Sequence, residues 1–161
     1  MLFFIESGTR RIHITGFTSN PTGQWVSQQA RQLVWKLEDE EREINYLIHD
    51  RDGKFRGGFD VVFESSGIEI IKTPVRAPNA NAFAERWVRS IREECLDRIL
   101  ILNHRHLKRV LNEYEKYYNE ARPHQGIDQN IPGVSDYQTG EGPARCRNVL
   151  GGVKHDYYRA A

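Results

Sequence analysis

At 161 residues the chain has the length of one domain with a real core, and 39% hydrophobic and 28% charged side chains exclude a disordered polymer. Its net charge of +1 does not identify a partner, because a nucleic-acid binder needs a local basic patch rather than a basic average. The apolar start Leu2-Phe3-Phe4-Ile5 is far too short to span a membrane, and Cys95 and Cys146 are too few and too far apart for a zinc site or disulfide framework, so a cytoplasmic protein is expected.

Residues 2–6 and 11–17 alternate apolar and polar side chains around Ser7-Gly8-Thr9-Arg10, which predicts a β-hairpin. Asn20-Pro21-Thr22-Gly23 breaks that alternation and sets up a helix start. Val26, Ala30, Leu33, Val34 and Leu37 then recur at helical spacing, so an amphipathic helix is expected over about 24–41. Its polar face ends in Glu38-Asp39-Glu40-Glu41, read as a solvated run.

A strand is expected at 44–49, then a polar turn, a short helix holding Phe59, Val62 and Phe63, and a strand at 68–72 stopped by Thr73-Pro74. From about residue 80 the period is helical again, with Ala84, Val88, Ile91, Cys95 and Ile99 on one face. A last helix, 105–120, packs Leu107, Val110, Leu111, Tyr114 and Tyr118. Trp25, Trp35 and Trp87 read as packing residues. The order of elements predicts an α/β domain with a mixed sheet over residues 1–132, followed by a Gly-rich, polar C-terminal tail, 133–161, from which no function can be derived.

Two carboxylates stand where chemistry could be placed. Asp50 ends the strand Ile44 to His49, at the carboxyl end of a sheet strand, where open α/β sheets commonly hold ligand-binding residues. Glu85 opens the helix that carries Arg89 and Arg92 at i+4 and i+7, hence on one face, and Asn81 at i−4 extends that stripe if the helix starts early. A carboxylate and two guanidiniums in a row can hold a metal and grip neighbouring phosphates, whereas the plainer reading is a solvated Glu–Arg pair. Asp52 reads as a turn cap, His104 and His106 as solvated residues before a helix, and Arg122-Pro123-His124 as a helix stop.

Together these segments resemble the integrase catalytic core of DDE transposases from bacterial insertion sequences. The match is carried by Leu47-Ile48-His49-Asp50-Arg51-Asp52-Gly53-Lys54-Phe55, by Pro78-Asn79-Ala80-Asn81-Ala82-Phe83-Ala84-Glu85-Arg86, by the interval between the two acids, and by Tyr117-Tyr118-Asn119-Glu120-Ala121-Arg122-Pro123-His124-Gln125-Gly126. The resemblance spans about residues 2–132. It implies an RNase H-like mixed sheet flanked by helices, and DNA transposition or integration by metal-dependent phosphodiester transesterification. It also implies two Mg²⁺ or Mn²⁺ ions on Asp50 and Glu85 as catalytic carboxylates, and DNA contacts from Asn81, Arg89 and Arg92. The implied partners are DNA at element ends and target, with a homo-oligomer on that DNA, no membrane, and a nucleoid-associated place in a bacterial cytoplasm.

The sequence departs from the family at one point. The family's first aspartate lies on a strand before the hairpin that opens this chain, so the expectation is a core lacking its first strand, from a 5′-truncated gene or a misplaced start. Glu6, on the next strand, is a poor substitute, because neighbouring strands lie about 5 Å apart. The alternative expectation is a non-catalytic DNA-binding remnant that associates with a full-length transposase.

Overall fold

The computed structural model describes residues 1–74, 82–133 and 142–160. In chain order it holds β1 (Leu2–Ile5), β2 (Ile12–Gly16), α1 (Gly23–Asp39), β3 (Tyr46–His49), α2 (Gly58–Glu64), β4 (Glu69–Lys72), α3 (Ala82–Glu94), α4 (His104–Glu120), β5 (Ala144–Val149) and β6 (Lys154–Arg159). The described strands pair two by two: β1 with β2, β3 parallel to β4, and β5 antiparallel to β6. The protein is therefore α/β, in the order that the hydrophobic periods predict as far as α4; β5 and β6 fall in the expected polar tail, and the described strands form three two-stranded sheets rather than one mixed sheet. Among the described residues no helix is long and apolar enough to cross a membrane.

The chain divides into two compact units, Met1–Phe4 with Thr15–Ala82, and Ile5–Ile14 with Phe83–Ala161. In the first unit, Thr22 caps α1 by accepting from the Trp25 N–H at 3.2 Å, and the stripe Val26, Ala30, Leu33, Val34 and Leu37 is buried as its spacing requires. That stripe packs with Phe59, Val62 and Phe63 of α2 and with Ile68. Leu2, Phe4, Leu47, Phe55 and Ile70 close over this core, where the Phe55 and Phe59 ring centroids lie 4.8 Å apart. Strand alternation sets the inner and outer sides of β3: Leu47 faces the core, while Tyr46 and Ile48 are exposed. Trp35 is 56% exposed on α1 and packs far less than its size suggests, because its position falls off the buried stripe.

In the second unit, the inward stripe of α3 keeps Ile91 and Cys95, as its period suggests, but takes in Trp87 in place of Val88. Trp87, Ile91 and Cys95 are buried, Val88 is 39% exposed, and Ile99 lies beyond the end of the helix. A Trp carries the largest apolar area on this helix, and burying it rotates the inward stripe away from Val88. Helix α4 buries Val110, Leu111, Tyr114 and Tyr118, with Leu107 half-buried at the edge of that stripe.

Asn119, next on α4, is also buried, and its side chain imitates a strand backbone. Its Oδ1 accepts from the Ile12 N–H at 2.8 Å and its Nδ2 donates to the Ile12 carbonyl at 2.8 Å, which pins β2 to the helix. Its own carbonyl accepts from the Gly133 N–H at 2.7 Å. A Cβ at Gly133 would sit 2.7 Å from that oxygen, so only glycine fits there.

Asn119→Ala strands two buried backbone groups of Ile12, each worth about 1–3 kcal/mol when left unpaired, so a loss of about 2–4 kcal/mol is expected in urea denaturation. A loss below about 1 kcal/mol would show that water replaces the amide and that the link is incidental.

Candidate functional site

Asp50 follows β3 directly and is exposed. Its Oδ1 accepts from the Asp52 N–H at 3.0 Å, an Asx turn that steers the chain into the single 3₁₀ turn Gly53–Phe55. Asp52 caps that turn by accepting from the Lys54 N–H at 3.1 Å, and it pairs with the Lys54 ammonium. The hydrogen bonds from Lys54 hold the Asp52 carboxyl below the usual range, so Asp52 is a turn cap, as its Asp-x-Asp-Gly setting suggests. Asp50 Oδ2 makes no hydrogen bond among the described residues and is open to a ligand.

The residue before Asp50 is held by several side-chain contacts. His49 places Nδ1 against the Asp50 carbonyl and bonds Asp60 through Nε2 at 2.9 Å, and Asp60 is also paired with Lys72 at 2.7 Å. The His49 ring meets Phe55 and Phe59 at centroid distances of 5.1 and 5.4 Å. Buried aromatic packing and a chain of charge-assisted bonds thus fix the end of β3.

Glu85 sits in the first turn of α3, where the helix dipole favours negative charge. Glu85, Arg89 and Arg92 are all exposed and share the helix face turned away from Trp87 and Ile91. None of the three makes an ion pair among the described residues. The i,i+4 pairs Lys36–Glu40 and Lys116–Glu120 do form, each at 3.9 Å, whereas Glu85 and Arg89 do not pair. Asn81 lies outside the described residues. Asp50 belongs to the first unit, and the Glu85 row belongs to the second.

A carboxylate with an unengaged oxygen suits a hard divalent ion, which keeps several waters and needs few protein ligands, and this holds for Asp50 and Glu85 each taken by itself. Among the described residues no group of three or more His, Cys, Asp or Glu is assembled to hold a metal. Glu6 is occupied elsewhere: its carboxylate accepts from the Thr9 hydroxyl at 2.6 Å and bonds His13 Nε2 at 2.9 Å.

The far end of α3 is clamped. Arg122 donates through Nε and Nη2 to the two oxygens of Glu94, at 3.0 and 2.6 Å, and the Tyr114 hydroxyl and Lys154 ammonium approach the same carboxylate at 3.2 and 3.7 Å. Burial opposes the charge on Glu94, but the Arg122 hydrogen bonds and the Arg122 and Lys154 charges outweigh it and hold the carboxyl below its usual range. Arg122 Nη1 also donates to His124 Nδ1 at 3.2 Å, while His124 Nε2 donates to the Tyr118 carbonyl at 3.2 Å, which makes the ring the neutral Nε2–H tautomer. Burial first, and then the Arg122 charge, push His124 below its ordinary value. Read along the sequence alone, Arg122-Pro123-His124 is only a stop signal; its partner Glu94 lies one helix back, and no local pattern points to it.

Residues 66–132 match the family model of the integrase core domain. No curated protein matches the chain. Integrase cores belong to proteins that act on DNA with divalent metals. The matched integrase-core segment takes in β4, α3 and α4, hence Glu85, Arg89, Arg92 and the Asn119–His124 stretch. It begins after Asp50, so that residue stands on its placement at the end of β3 and on the motif around it.

The clamp gives the integrase-core segment an acid-sensitive stability. His124 and Glu94 both have depressed folded values, so their contributions are complete above their ordinary values of 6.5 and 4.5 and are lost as pH falls through the lower folded ones. The melting temperature is expected to fall between about pH 7.5 and pH 5.5, and His124→Gln is expected to flatten that slope. An equal slope in the variant would remove His124 from the account.

Proposed function

We propose that the chain is the catalytic-core part of a transposase or integrase, a polynucleotidyl transferase that cuts and joins DNA. In this reading residues 1–132 form an RNase H-like core and 133–161 a C-terminal extension. The observation that carries it is the exposed, unpaired row Glu85, Arg89 and Arg92 on α3, inside the segment that matches an integrase core. Opposite charges at helical spacing that do not pair with each other remain available to a ligand carrying both metal and phosphate.

Asp50 and Glu85 are the metal ligands in this proposal. A bound divalent ion supplies Lewis acidity toward a phosphodiester. Asp50 offers Oδ2, because Oδ1 is spent on the Asx turn, and the His49–Asp60–Lys72 chain keeps its backbone from drifting. Arg89 and Arg92 grip phosphates beside the scissile bond, a task for which the planar guanidinium is suited.

The test is nicking and joining of plasmid DNA with Mg²⁺ or Mn²⁺. Asp50→Asn and Glu85→Gln are each expected to lower the rate by about 100-fold or more, whereas Arg89→Gln with Arg92→Gln weakens DNA binding with a reduced salt dependence. Equal rates in Asp50→Asn and the parent chain would sink the proposal.

A further inference from the structure

The β5–β6 hairpin is rooted at one end and open at the other. Val149, Leu150 and Asp156 are buried, the Leu150 N–H donates to Glu113 of α4 at 2.6 Å, and Lys154 reaches Glu94. Away from that root, Arg145, Cys146 and Arg147 on β5 and Tyr157, Tyr158 and Arg159 on β6 are exposed. The register pairs Arg145 with Tyr158, Cys146 with Tyr157 and Ala144 with Arg159, so the exposed residues occupy both faces of the ribbon. A two-stranded ribbon with neither face packed is marginal in water, and its outer half has no apolar reason to stand out from the unit.

Its charge is one-sided. Arg145, Arg147, Lys154 and Arg159 stand against the single acid Asp156, in a chain whose net charge is only +1. Arg147 is tied to Asp156 at 2.6 Å, Arg159 donates only to the Gly142 carbonyl at 3.3 Å, and Arg145 has no partner among the described residues. Tyr157, 66% exposed, adds an aromatic face between these cations. Two like-charged ribbons would repel, which disfavours edge pairing with a second copy.

We propose that the β5–β6 ribbon is a second DNA contact, separate from the α3 row, that lies in the major groove of duplex DNA with Arg145 and Arg159 on its phosphates. The major groove admits a two-stranded β-ribbon, and arginines on both faces of such a ribbon meet the two strands that wall the groove. The inference rests on the reading above only for the class of partner; the ribbon neither touches nor needs the carboxylates.

The experiment is fluorescence anisotropy of a labelled duplex of about 30 base pairs with the full chain, between about 50 and 200 mM salt. Arg145→Gln with Arg159→Gln is expected to weaken binding about tenfold or more and to lower the slope of log affinity against log salt by about 2, while Arg145→Lys with Arg159→Lys restores both. Neither side chain is part of the strand pairing, and an unchanged melting temperature in the Gln variant checks that the fold is intact. Unchanged affinity and slope would overturn the ribbon's role. Loss with the ribbon variant but none with Arg89→Gln and Arg92→Gln would uphold the ribbon and sink the α3 reading. A parent chain that shows no salt-dependent binding would sink both.

Discussion

Arg122 reaches back from the end of α4 to the last residue of α3, and its two hydrogen bonds to Glu94 hold the helix that carries Glu85. The pair is half-buried, bidentate and joined by Tyr114 and Lys154, so every neighbour of the carboxylate is a donor. Breaking a buried pair at one end costs about 3–5 kcal/mol, because the orphaned charge keeps its desolvation penalty. One turn earlier, Asn119 ties the same helix end to β2, and just after it His124 closes the loop through its own backbone bonds with Gln129 and Asn130. The stretch Asn119 to His124 thus fastens α3, β2 and the following loop at one place. Its role is architectural, and it bears on chemistry only by fixing where α3 points its outward face.

That outward face and the end of β3 share a physical character. Each presents a carboxylate on a backbone that is held from behind: Asp50 by the His49–Asp60–Lys72 chain and the packing of Phe55 and Phe59, Glu85 by the burial of Trp87 and Ile91. Each carboxylate also keeps unengaged oxygens while its acidic neighbours are spent, Asp52 on its turn, Glu6 on Thr9 and His13, and Glu94 on Arg122.

Hydrophobic period made much of the fold legible. The α1 stripe and the α4 stripe bury the residues their spacing selects, and the hairpin turn and the short strands fall where alternation and Pro or Gly breaks put them. On α3 the period picked out Ile91 and Cys95 correctly but set Val88 where Trp87 is buried, because spacing counts positions and ignores that a Trp outweighs a Val. It gave no sign of β5 and β6, whose residues are mostly polar and exposed, so alternation had no buried side to mark. Asp50, Glu85, Arg89 and Arg92 were visible as residue types at helical or strand-end positions. What sequence could not supply was which charges are already paired, since the partners of Glu94, Asn119 and Glu6 are set by packing across elements or by a turn's geometry.

The most direct measurement is paramagnetic broadening of backbone amide signals as Mn²⁺ is titrated into the protein. Selective early broadening at Asp50 to Asp52 and at Ala84 to Arg86 is the result expected if these carboxylates are the metal ligands. Broadening confined to the solvated acidic run Glu38 to Glu41, with both of those stretches unaffected, would contradict it.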